Sequence, residues 1–227
     1  MELQKLLSKA RRAAEDYDMI EEGDKIAVGL SGGKDSITLL CILAAMRRFY
    51  PKKYELIAIS IDMGLGLDEK EVQAVKDLCA RLNVEYIVEK TRIGEIVFDV
   101  RKEPNPCSLC ANMRRGALNS TAAAHGCNKV ALGHHSDDLA ETFLLSLFYE
   151  GRLSAFAPVT KLERVGITVI RPMIYIDEKE IIGFAKDKPI IHNRKARNTA
   201  QHLGSITILR LADLLGGNAA YDRQTFP

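Results

Sequence analysis

The run Gly29-Leu30-Ser31-Gly32-Gly33-Lys34-Asp35-Ser36 follows a short apolar strand, Lys25 to Val28, and opens an apolar helix. That setting suits a phosphate cradle. Two adjacent glycines let backbone N–H groups turn toward one anion, the helix N-terminus adds partial positive charge, and Lys34 adds a full one. The expected ligand is a nucleotide. In Gly133-His134-His135-Ser136-Asp137-Asp138, the paired carboxylates Asp137 and Asp138 can hold Mg2+ on phosphates, and His134 can contact the nucleotide or substrate. Acidic residues at a helix start are also favoured by the helix dipole alone, so helix capping is a competing reading, and Asp138 fits a core-facing structural role equally well. Cys107 and Cys110, in Pro106-Cys107-Ser108-Leu109-Cys110, can present two sulfurs to one metal or cluster.

The spacings exclude commoner alternatives. A Walker A loop needs glycine five positions before Gly33 and Ser or Thr after Lys34, where this chain has Val28 and Asp35. The dinucleotide fingerprint fails at Glu69, where a third glycine should follow Gly64 and Gly66. Structural zinc would need two ligands besides Cys107 and Cys110; Cys127, His125 and His134 are the candidates, without the paired spacing of a zinc ribbon. A thioredoxin-type dithiol would follow the first strand of its fold, and this motif follows the third.

The elements that must position these residues alternate. Apolar spacing predicts a helix over Leu3–Tyr17, then strand Lys25–Gly29, helix Asp35–Arg48, strand Glu55–Asp62, helix Asp68–Leu82, strand Val84–Glu89 and helix Ser108–Ala124. Strand Lys129–Leu132, helix Ser136–Tyr149, strand Ile167–Ile170 and a short helix Asp177–Ala185 follow. Near-continuous apolar runs such as Leu56-Ile57-Ala58-Ile59-Ser60-Ile61 suit strands covered on both faces, hence an α/β fold with a parallel sheet. Ligands of such sheets sit at the strands' carboxyl ends. The loop at Ser31, the turn Asp62-Met63-Gly64 and Gly133-His134-His135 all fall at that edge.

With 227 residues, 47% hydrophobic and 27% charged, the chain can bury one sizeable core. No stretch is apolar for long enough to span a bilayer, and Met1 leads into an amphipathic segment rather than a signal peptide, so a cytoplasmic protein without a membrane partner is expected. Five cysteines in such a chain argue for metal or redox chemistry over a disulfide framework. A net charge of +2 permits a nucleic-acid partner without requiring one.

The order S-G-G-K-D-S, then P-C-S-L-C-x-x-M-R-R-G, then G-H-H-S-D-D-x-x-E-T resembles the tRNA 2-thiocytidine synthetase family of PP-loop, or N-type, ATP pyrophosphatases, over about residues 20 to 192. The resemblance implies a Rossmann-like PP-loop ATPase fold (adenine nucleotide alpha hydrolase-like), with an N-terminal helix over 1–20, a catalytic domain over 21–192 and an atypical tail over 193–227. It implies ATP-dependent thiolation of a tRNA cytidine through adenylation of its 2-oxo group. Ser31, Gly32, Gly33, Asp35 and Ser36 would bind phosphates, with Lys34 in the variable position of the motif. Ser60 and Ile61 would flank adenosine, Gly133 and His134 would close the nucleotide pocket, and Asp137 or Asp138 would hold Mg2+ or assist catalysis. Cys107 and Cys110 would ligate a 4Fe-4S cluster, and Arg114 would stabilise developing charge or bind tRNA phosphate. A solvated helix face is the alternative for Arg114 and Arg115. A sulfur donor, such as a cysteine desulfurase or free sulfide, and a homodimer are further expectations of the resemblance.

The chain departs from the family after Pro189-Ile190-Ile191-His192-Asn193, where a third cluster cysteine belongs and Arg194-Lys195-Ala196-Arg197 stands instead. No cysteine follows Cys127. Substitution by Cys127 or by another subunit, altered metal binding, a protein that keeps only ATP binding, and a frame change beyond Asn193 all fit. Apolar spacing over Ile206 to Leu215 permits a helix, and the basic stretch Lys186 to Arg197 suits either RNA phosphate or a solvated surface. Uridine thiolation, another adenylating reaction, and a non-catalytic ATP- or RNA-binding protein are the rival functions; the two cysteines argue against lysidine formation.

Overall fold

The computed structural model describes residues 2–66, 68–101 and 106–186, all within one compact unit. The expected tail over 193–227, with its helix and most of its basic stretch, lies outside them. Six strands form one sheet: β1 (Asp24–Leu30), β2 (Tyr54–Asp62), β3 (Glu85–Lys90), β4 (Lys129–Ala131), β5 (Val159–Leu162) and β6 (Ile167–Ile170). Their order is β3-β2-β1-β4-β6-β5, parallel throughout except for β5, which runs antiparallel to β6. The helices are α1 (Glu2–Asp16), α2 (Lys34–Met46), α3 (Glu69–Arg81), α4 (Pro106–Ala124), α5 (Ser136–Leu145) and α6 (Glu178–Lys186).

The apolar strand runs are continuous because both sheet faces are covered. Ile26, Val28 and Leu30 of β1 and Leu56 and Ala58 of β2 join the core under α1, α2, α3 and α6, whereas Ala27, Ile57 and Ile59 join a second core with Leu118 and Ala122 of α4. Helix α1 lays Leu6, Ala10, Ala13 and Ala14 into the first core at helical spacing. Its Lys5 and Lys9 bind Glu180 of α6 at 2.7 and 2.6 Å. No helix of the described residues is long and apolar enough to cross a membrane.

Three features go beyond the expected elements or shorten them. The sheet carries an antiparallel edge strand, β5, joined to β6 through Gly166 at φ +68°. The α-helix expected over Ser136–Tyr149 stops at Leu145 and continues as a π-helical turn, Ser146–Glu150, closed by left-handed Gly151. A second π-helical turn, Glu95–Val100, precedes α4; π-turns occur frequently beside functional sites.

The strand order fixes where a ligand can lie. From β1 the chain builds outward through β2 and β3, then returns to place β4 on the other side of β1. The connections leaving β1 and β4 therefore run toward opposite edges of the sheet, opening a crevice at their carboxyl ends.

Candidate active site

The loop after β1 is held by its own hydroxyls. Ser36 Oγ accepts from the Ser31 N–H at 3.2 Å and donates to the Gly33 carbonyl at 3.0 Å, and Ser31 Oγ accepts from the Gly33 N–H at 3.3 Å. Gly32 turns the chain at φ +76°, a conformation that favours glycine. Gly33 caps α2 without any side-chain acceptor, so the first-turn N–H groups of α2 are left for a ligand.

Lys34 sits between two carboxylates, 2.8 Å from Glu178 and 3.0 Å from Asp35 Oδ1. Burial would lower its pKa, but Glu178 and Asp35 outweigh burial and raise it, so the ammonium stays charged. The ammonium donates its hydrogen bond to Asp35 Oδ2 at 3.2 Å, so the buried Oδ1 is held by the ion pair without a hydrogen bond of its own. A carboxylate oxygen paired in this way keeps a lone pair for a second donor or a cation.

Gly133 is a packing requirement. A Cβ at this position would lie 3.0 Å from the Asp35 carbonyl carbon, 3.1 Å from its oxygen and 3.1 Å from the Ser36 nitrogen. The segment after β4 therefore touches the first turn of α2 through bare backbone.

His135, which sequence reasoning passed over, links the two segments. It is buried and caps α5: its Nδ1 accepts from the Asp138 N–H at 3.4 Å, and its own N–H donates to Asp138 Oδ2 at 3.0 Å. Its Nε2 lies 3.9 Å from Asp35 Oδ1. Asp137 Oδ2 accepts from the Glu178 N–H at 2.7 Å and so holds the start of α6. The capping reading of Asp137 and Asp138 is thus realised at the mouth of the site.

His134 is half-buried, and its Nδ1 accepts from Arg171 Nε at 3.3 Å. Burial first, then the Arg171 charge, lowers its pKa to about 4, so the ring is neutral at physiological pH. Arg171, which the sequence analysis did not single out, also donates to the Ala157 carbonyl at 2.5 Å and Thr160 Oγ1 at 3.2 Å.

Cys107 is exposed and Cys110 half-buried on the first turn of α4, and the Cys110 thiol donates to Met63 Sδ at 3.4 Å, just past the end of β2. Cys127 cannot join them as a third ligand. It lies beyond the far end of the 19-residue α4, roughly 28 Å along the axis, buried against the second core. His125 shares that remote end. Cys41 and Cys79 pack with the first core, on the other sheet face from α4. All five cysteines are therefore placed, and no group of three metal-ligating side chains occurs among the described residues. Cys107 and Cys110 are thus two cysteines at this edge, one fewer than the three that the resemblance implies for a cluster.

The remaining expected residues divide. Ser60 and Ile61 end β2 half-buried, with Ser60 Oγ accepting from the Tyr86 hydroxyl at 3.0 Å. Arg114 is exposed on α4. It is Arg115, one residue on, whose charge acts on both His134 and Arg171.

The PP-loop domain family matches residues 3–210. A tRNA-cytidine(32) 2-sulfurtransferase of Geobacter metallireducens is 45% identical over 184 residues, covering 81% of this chain and 71% of that one. The chain belongs to this PP-loop family. The corresponding Citrifermentans bemidjiense protein is 42% identical over 185 residues, with the same coverage. Among solved structures, the U34-tRNA thiolase NcsA from Methanococcus maripaludis, described with its 4Fe-4S cluster, matches at a TM-score of 0.72. It is 24% identical, over 95% of this chain and 75% of that one, and so speaks for the PP-loop fold.

Proposed function

We propose that this PP-loop protein thiolates a tRNA cytidine, at the position 32 that its relatives' name specifies, using ATP. The observation that carries the reading is the meeting of an uncapped phosphate loop, the Gly133-His134 segment and the Cys107–Cys110 pair at one edge of the sheet.

In the first step the 2-oxo oxygen of the unstacked base attacks the α-phosphorus of ATP. The P–O bond to the β-phosphate breaks and pyrophosphate leaves into the N–H groups of Gly32 and the first turn of α2, beside Ser31, Gly33 and Ser36. Ser60 and Ile61 flank the adenosine. Lys34 is neutralised by two carboxylates and acts chiefly as a strut. Asp35 Oδ1, ion-paired with Lys34 but without a hydrogen bond, and Asp138 on the facing helix start are the carboxylates that would hold Mg2+. When bound it would neutralise phosphate charge.

In the second step a sulfur nucleophile attacks the activated carbon and AMP departs with the former carbonyl oxygen. Cys107 and Cys110 lie where incoming sulfur would be handled. Two thiolates do not complete a three-cysteine cluster, so no step is assigned to one. A cysteine desulfurase or free sulfide as donor, Arg114 as a contact for tRNA phosphate, and a homodimer belong to the same proposal.

The test is anaerobic protein given ATP, Mg2+, sulfide and tRNA, with AMP and 2-thiocytidine measured on one sample alongside iron and sulfide content. Both products are expected, and in Cys107→Ser and Cys110→Ser both should be lost while a single round of pyrophosphate release persists. Absence of both products with every tRNA tried would refute the proposal. ATP binding without pyrophosphate release would favour a binding protein instead.

A further inference from the structure

Arg171 is bonded entirely to neutral acceptors. Its guanidinium reaches the Ala157 carbonyl, Thr160 Oγ1 and His134 Nδ1, lies 5.0 Å over the Phe156 ring, and has no carboxylate within ion-pair distance among the described residues. The same Phe156 ring packs on His134, with centroids 5.0 Å apart. A half-buried cation with no counter-charge contributes little to stability, and repulsion from Arg115 adds a cost. Its geometry has a chemical consequence. Arginine carries only donors, so the ring nitrogen facing it must offer a lone pair. An imidazolium would set an N–H against an N–H, and the Nδ1–H tautomer would do the same.

We propose that Arg171 is a positioning residue for the adenylation described above: it fixes His134 as the neutral ring with its proton on Nε2, a hydrogen-bond donor to an anionic oxygen of the adenylyl phosphate. His134 then acts as a donor and not as a base. The charged groups acting on the ring, from every element around it, are Arg171 after β6, Arg115 on α4, and Asp138 and His135 at the start of α5. Asp138 alone favours protonation of the ring, and the other three oppose it. The inference rests on the proposed function for the identity of the oxygen. The tautomer lock stands apart from it.

The two parts are tested separately on the full chain. Nitrogen-15 NMR of the histidine rings, without ATP or tRNA, should show His134 with Nε2 protonated and no titration until pH falls toward about 4. Arg171→Met keeps the stem on Phe156 and removes the donor; it should admit the Nδ1–H tautomer and raise the ring's proton affinity at least about tenfold. Arg171→Lys, which retains a donor, should restore the Nε2–H signature. If Arg171→Met fails to fold, the wild-type spectrum alone decides, because an Nδ1–H tautomer or a midpoint near the ordinary histidine value overturns the lock. With tRNA and ATP, Arg171→Met should lower kcat for pyrophosphate release more than it raises KM for ATP. An unchanged kcat beside an altered ring spectrum would refute the positioning role while leaving the proposed function intact.

Discussion

Gly133→Ala puts the closest approach in the site to a quantitative test. The new Cβ would stand 3.0 to 3.1 Å from three backbone atoms of Asp35 and Ser36, none of which can rotate aside as a side-chain tip could. Relief to ordinary contact needs a shift of a few tenths of an ångström in the first turn of α2, at an overpacking cost of about 1–3 kcal/mol. The displaced N–H groups are those offered to pyrophosphate. Since a misplacement near 1 Å costs about a hundredfold in rate, a shift of this size should cost roughly tenfold in pyrophosphate release, with weaker binding of a non-hydrolysable ATP analogue. Gly29→Ala is the control, because its Cβ would meet the flexible Leu118 Cδ2 at 2.8 Å and leave the loop alone. It should lower Tm with near-normal nucleotide affinity by calorimetry. Wild-type affinity and turnover in Gly133→Ala, or an equal loss in Gly29→Ala, would show that this backbone contact does not set the loop.

Gly116 lies on the exposed side of α4, and an added Cβ there would meet nothing within 4 Å. Gly116→Ala should therefore stabilise the fold by about 0.5–1 kcal/mol in denaturant, and activity lost despite that gain would mark this helix as the tRNA-facing surface. Glu180 has its pKa held down at about 2, because hydrogen bonds from Lys5 and Lys9 outweigh the upward push of burial. A depressed carboxylate contributes stability above its ordinary 4.5 and loses it as pH falls toward 2, so the Tm deficit of Glu180→Gln should be full at pH 7 and shrink through that window. Asp24 is buried and holds the buried Lys129 ammonium at 2.8 Å, while accepting from the Glu21 N–H and Asn128. Asp24→Ala should cost about 3–5 kcal/mol by denaturant unfolding, and Asp24→Ala with Lys129→Met should recover part of the loss.

The parallel core of the fold was legible because its signal is chemical as well as periodic. Runs such as Leu56 to Ile61 suit strands buried on both faces, and glycine and helix-start residues flank the crossovers. β5 carried no such signal: Val159–Leu162 is a short edge strand, half-buried, and its pairing depends on β6 lying beside it. The end of α5 was missed for a related reason. Leu145 to Tyr149 continues a helical pattern, and the widening to a π-turn before Gly151 is a change of hydrogen-bond register that residue types do not encode.

Within the candidate site, sequence singled out residues whose type alone suggests chemistry and passed over those whose contacts come from a distant partner. The loop glycines and serines, both cysteines and His134 belong to the first group. Arg171, His135 and Glu178 belong to the second, since each acquires its meaning from a contact about 37, 100 and 144 positions away in the chain. The acidic pair shows the limit most clearly. Asp137 and Asp138 sit at a helix start, where capping and cation binding favour the same residue type through the same negative charge. Only the structure separates the claims: Asp137 Oδ2 is committed to the Glu178 N–H and Asp138 Oδ2 to the His135 N–H, while the buried oxygen without a hydrogen bond belongs to Asp35. Asp35 is itself ion-paired with Lys34, so a cation drawn into the crevice would share that carboxylate with the ammonium, while the acidic pair holds α5 and α6 in the frame that keeps the first loop in place.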